Sequence, residues 1–103
     1  MDIPLQVTFR DFPQSPALQD RIREKAIKLH ALHPRITTCR VTVERHRRDV
    51  PHGGQFSVRI DVHMPDHEVL VSQDDGEDVN VALRQAFDGA HRQLKGNALR
   101  AVR

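Results

Sequence analysis

Tryptophan and tyrosine are absent from this sequence of 103 residues, and four phenylalanines are its whole aromatic complement. Proteins that stack single-stranded bases on aromatic rings need a platform of such side chains, so that mode of recognition can contribute little here. Cysteine is nearly absent too. Cys39 stands alone, which excludes an internal disulfide framework and fits a reducing compartment. No apolar run approaches the ~20 residues of a membrane span. Met1-Asp2-Ile3-Pro4 has neither the charged nor the apolar region of a secretion signal, so the expected location is the cytoplasm. Glycine-rich phosphate loops and nucleophile elbows are missing as well. Carboxylates are plentiful but none pairs with a recognisable catalytic partner, so the chain is expected to be neither an enzyme nor a cofactor carrier.

What is present is a single-domain length with an apolar share of 38%, enough for a modest core. One domain over residues 1–103 is therefore expected. The formal net charge is only +2, but its distribution is uneven. Residues 1–20 carry one basic and three acidic side chains, and residues 21–48 carry nine basic against two acidic. Residues 49–78 reverse this, with one basic against eight acidic, and residues 79–103 return to five against one. Two basic segments around an acidic one point to a polyanionic partner more than the total does.

The hydrophobic pattern predicts six elements. Ile3, Leu5, Val7 and Phe9 alternate with polar neighbours, the period of a half-buried strand. Ser15 and Pro16 read as N-cap and first residue of a helix to about His33, where Pro34 stops it. Leu18, Ile22, Ala26 and Leu29 share one face of that helix, and Ile27 sits opposite. Cys39, Val41 and Val43 mark a second strand, and Phe56 to Met64 a longer third. Residues 45–54 form a polar loop containing Arg45, Arg47 and Arg48, and Glu68 to Gln73 a short fourth strand. The acidic run from Asp74 to Asp78 suits the positive end of a second helix. It lacks the alternating ligand order of a calcium loop. Val79, Leu83, Phe87, Ala90 and Leu94 line that helix, Gly96-Asn97 ends it, and a short basic tail follows from about residue 97.

The resulting fold class is α+β with the order β-α-β-β-β-α. The first two strands, joined through a helix, are expected to be parallel neighbours. The other connections are hairpins. The sheet is then four-stranded and mixed, with two parallel helices on its one dry face. On a helical wheel, Arg21, Lys25 and Lys28 form a stripe on one flank of the first apolar face, and Arg84, His91 and Lys95 on the opposite flank of the second. If those flanks meet, they focus positive potential in one groove, a phosphate-binding arrangement. Arg45, Arg47 and Arg48 are weaker candidates for the same role. The outward sheet positions mix Arg40 and Arg59 with Glu44 and Asp61, which cancels locally.

Seven histidines raise the question of a metal. His30 and His33 are three apart on a helix, and His63 and His67 flank a turn. A zinc site needs three or four ligands, and neither a cysteine pair nor H-E-x-x-H is present, so no metal site is expected.

Several stretches resemble the ribosome hibernation promoting factor family, which includes the ribosome-associated inhibitor A proteins and was once labelled as sigma-54 modulation protein. Ser15-Pro16-Ala17-Leu18, then Lys25, Lys28-Leu29 and Arg35-Ile36, look like that family's first helix and its exit. Phe56 to Val62 looks like its third strand, and Asp78-Val79-Asn80-Val81-Ala82-Leu83 with Asp88 and Arg92-Gln93-Leu94 resembles its second helix. Asn80 stands where the family usually has Tyr, Gly89 where a Lys is common, and the loop around residues 50–54 is longer than in the shortest members. The resemblance implies the same element order, in a fold similar to double-stranded RNA-binding domains. It implies a partner, the small ribosomal subunit and its ribosomal RNA, bound in the channel of mRNA and tRNAs so that translation is inhibited in stationary phase or stress. It also implies that basic residues of both helices, here Lys25, Lys28 and Arg92, make the RNA contacts. The resemblance leads one to expect the short form, lacking the C-terminal dimerisation domain of the long one, and a monomer off the ribosome. Two readings compete: a general double-stranded RNA binder, and a module that regulates another protein, for example a transcription factor.

Overall fold

A computed structural model of the chain describes residues 4–45, 56–75 and 78–101. Along the chain run β1 (Leu5–Arg10), α1 (Pro16–Leu32), β2 (Thr38–Arg45), β3 (Phe56–His63), β4 (Glu68–Asp75) and α2 (Val79–Ala101). The sheet order is β1-β2-β3-β4. β1 pairs with β2 in parallel, Val7 opposite Val41, and the two remaining pairs are antiparallel. This is the mixed four-stranded α+β architecture expected from the hydrophobic periods.

The first helix starts as its sequence dictates. Ser15 is the N-cap, its hydroxyl accepting the Leu18 N–H at 3.2 Å, and Pro16 follows where no N–H is needed. The helix ends at Leu32, and His33 caps it by donating its N–H to the Leu29 carbonyl at 2.9 Å. Asp11, between β1 and α1, has φ 52°, a left-handed conformation that Asp tolerates better than most residues.

Two boundaries differ from expectation. β4 is not short: Asp74 and Asp75 extend it to pair with Ser57 and Phe56. The acidic run therefore does not open the helix as a unit. Asp78 does so alone, its carboxylate accepting the Asn80 N–H at 2.8 Å and its carbonyl accepting Val81 and Ala82. Second, α2 does not stop at Gly96-Asn97 but continues to Ala101, so the stretch read as a tail is helical to that residue. One glycine inside a helix costs only about 1 kcal/mol relative to Ala, and no proline follows to enforce a stop.

The core lies between the helices and one sheet face. Ile22 from α1, Leu83 from α2, and Val41, Val58 and Ile60 from the sheet are all fully buried. Val7 is half-buried because β1 is an edge strand. Ile27, opposite the apolar stripe, is exposed. Cys39 is one of the core side chains; burial first, and the Asp61 charge second, push its thiol up to about 11. It stays protonated and acts as a small hydrophobe. At Gly89 the helix passes so close to β4 that a Cβ would lie 3.2 Å from the Val71 side chain. A larger side chain at this position would press on Val71, so glycine lets the helix approach the sheet closely.

All four phenylalanines are absorbed by packing. Phe12 stacks on Phe9 and meets Phe56 edge-on, both at 5.8 Å between centroids, and Phe87 is buried in the core.

Candidate nucleic-acid interface

Polar contacts join the first helix and its cap to α2. The Arg21 guanidinium donates to Asn80 Oδ1 at 2.8 Å, and His33 Nε2 lies 2.9 Å from His91 Nδ1. The first joins the start of α1 to the start of α2, and the second joins the end of α1 to a point well along α2. The helices therefore run side by side in the same direction. The same contacts decide which flanks meet. Arg21 belongs to the basic stripe of α1 and His91 to that of α2, so the two stripes face each other across one groove.

Lys25 and Lys28 lie along α1 between the two crossing points, Lys25 half-buried and Lys28 exposed. Arg84 and Lys95 are exposed on α2, before and after the half-buried His91. Arg21 and His91 meet the opposite helix directly, and the helical period puts Lys25 and Lys28 on the flank of Arg21 and Arg84 and Lys95 on that of His91. Arg92 is exposed but lies roughly 100° round the helix from His91. It sits on the outer side of α2 rather than in the groove. Arg45 is not a loop residue; it ends β2, with its guanidinium 5.6 Å over the Phe56 ring, a cation–π contact. Arg47 and Arg48 fall outside the described residues.

His33 and Asn80 are groove residues that the sequence reading missed. The signal was available. Once helices run in parallel with residue 21 opposite residue 80, an offset of 59, residue 33 must fall opposite 91 or 92. His33 is partly desolvated by burial and, second, feels the charge of His91; both lower its pKa from the ordinary histidine value.

The other histidines are engaged separately. The His63 ring lies between two carboxylates, with Nε2 3.2 Å from Asp61 and Nδ1 3.5 Å from Glu68. Together these residues bring three possible ligand atoms within 4.8 Å of one another. The two carboxylates, however, approach different ring nitrogens of His63. His67 bonds its neighbour Asp66 at 2.9 Å, which holds that carboxyl below its usual range.

The far side of the sheet carries an open cleft of about 320 Å³. Arg10, Arg40 and Arg59 line it, but so do Glu44 and Asp61. Charge there is mixed, in contrast to the groove between the helices. An Arg59→Glu variant is expected to keep affinity for a polyanionic partner within about twofold of the parent, a change near the small end of surface electrostatic effects. A loss as large as that of a groove variant in a pelleting assay would place the contact on the sheet instead.

The profile of the family described as Sigma 54 modulation protein / S30EA ribosomal protein matches residues 5–100. The chain belongs to this family. Its members are non-enzymatic ribosome-binding factors. Among curated proteins no relative matches. Solved structures share the fold, among them the following two. A ribosomal subunit interface protein from Coxiella burnetii superposes with a TM-score of 0.80 at 14% identity, covering 94% of this chain and 99% of the other. The Protein Y N-terminal domain of Thermus thermophilus gives 0.71 at 21% identity, covering 92% and 97%. Among the described residues, no helix is long and apolar enough to cross a membrane.

Proposed function

We propose that this S30EA-family protein is a ribosome-associated hibernation factor. It binds the ribosomal RNA of the small subunit with the groove between α1 and α2, occupies the channel of mRNA and tRNAs, and so inhibits translation in stationary phase or stress. The observation that carries this reading is the meeting of two basic stripes along one groove, pinned by Arg21–Asn80 and His33–His91. Lys25, Lys28, Arg84 and Lys95 offer donors for phosphate oxygens from both walls, with Arg21 and His91 at the contacts between them. Arg92 reaches RNA from the outer side of α2. Such a groove reads backbone shape and charge, the mode available to a protein whose aromatic rings are all committed to packing.

The family supports the ribosome as partner. The Coxiella relative is described as a ribosomal subunit interface protein, and the same class of location is proposed here. The working compartment is then the cytoplasm. Fractionating a stationary-phase lysate on a sucrose gradient tests the proposal: the protein is expected with small subunits and with idle ribosomes. Its absence from every ribosomal fraction, with full recovery at the top of the gradient, would overturn it and favour a protein-regulating module.

A further inference from the structure

The His33–His91 contact is a hydrogen bond between two imidazoles, and that chemistry restricts its protonation. At 2.9 Å, one facing nitrogen must carry the proton and the other must accept it. A neutral pair satisfies this, and so does a pair carrying one positive charge. A doubly charged pair does not, because both facing nitrogens then carry hydrogens and the rings repel.

The surroundings make the second proton still less favourable in the free protein. Arg84 and Lys95 share the flank of His91, Lys28 and His30 precede His33 on α1, and Asp88 is the one nearby acid on α2. The strand side chains packed beneath the helices are apolar, apart from the protonated thiol of Cys39. A phosphate chain laid in the groove reverses this field. It supplies negative charge to the pair, and it accepts the ring N–H groups that separation of the rings would free.

We propose that the His33–His91 pair is a proton-linked element of the RNA groove: groove phosphates draw a second proton onto the pair, so ribosome binding takes up a proton and tightens as the pH falls. This inference rests on the groove reading of function given above. By linkage, affinity rises about tenfold for each unit by which bound phosphate raises the pair's affinity for its proton. The free protein moves in the opposite direction. His33 is harder to protonate when folded than when unfolded. The unfolded chain therefore binds more protons below about pH 6.5, and folding stability falls as the pH drops through that range.

Two measurements test the proposal and separate it from the groove reading. In the first, imidazole resonances of the free protein are followed by NMR through a pH titration. In a His91→Gln variant, His33 is expected to titrate at higher pH than in the parent, since the charge that opposes its proton is gone. An unmoved His33 titration would overturn the pairing whatever the ribosome does. In the second, purified small subunits are pelleted with the parent and with a His33→Gln/His91→Gln variant at about pH 6 and pH 8 and constant ionic strength. The parent is expected to bind severalfold more tightly at the lower pH, and the double variant to show the same affinity at both. Equal pH dependence in parent and variant would overturn the proposal. Failure of the parent to pellet at either pH would overturn the groove reading and, with it, proton-linked RNA binding, while leaving the coupled NMR titration of the free protein as it stands.

Discussion

A Lys25→Glu, Lys28→Glu, Lys95→Glu triple variant is expected to fold, yet neither to co-sediment with ribosomes nor to inhibit cell-free translation. The three side chains sit on the helix flanks proposed to bind RNA, and none belongs to the buried core. Three reversals move the formal net charge by six, from +2 to −4. A hydrogen bond to a charged group contributes about 1.5–3 kcal/mol, so three lost phosphate contacts lower affinity by at least on the order of a thousandfold. Reversed charges add repulsion to that loss. The thermal midpoint should stay within a few degrees of the parent, since Lys28 and Lys95 are exposed, Lys25 is only half-buried, and none is a cap or core residue. A variant that folds, pellets and inhibits like the parent would mean that the stripes are only solvated helix faces.

The largest effect on stability is expected at the junction of α2 with the sheet. Leu83 is fully buried among core residues of both helices and the strands. A Leu83→Ala change removes its packing and leaves a cavity, at a cost of about 2–5 kcal/mol. Domains of this size are stable by only about 5–15 kcal/mol, so urea unfolding should show a much lower midpoint with an unchanged slope. Leu70, exposed on the other face of the sheet, is the internal comparison. Its replacement by Ala should cost under about 0.5 kcal/mol. Similar costs at the two positions would contradict the placement of the dry face.

Much of the fold was legible because its signals are local. The Ser15-Pro16 start of α1 and the alternation Cys39-Val41-Val43 need no knowledge of the rest of the chain. Where the reading went wrong, a distant partner decided. Asp74 and Asp75 carry the composition of a helix start, but the β3 ladder reaches back to Ser57 and Phe56 and holds them in β4. Gly96 carries the signature of a helix end, yet the residues after it remain helical. The wheels place each basic stripe on one flank of its helix, because a flank is also local. That the stripes face each other is tertiary information, given by Arg21 with Asn80 and by His33 with His91. Arg92 entered through family resemblance, and periodicity by itself would have set it apart from the groove.

The salt dependence of small-subunit binding tests the central claim most directly. If phosphates fill the groove, log affinity should fall linearly and steeply with log salt concentration, and each of Lys25→Ala, Lys28→Ala and Lys95→Ala should make the slope shallower by about one. Arg59→Ala on the far face of the sheet should leave it unchanged. A slope near zero, or one that the groove variants do not alter, would contradict binding of the RNA backbone by the groove.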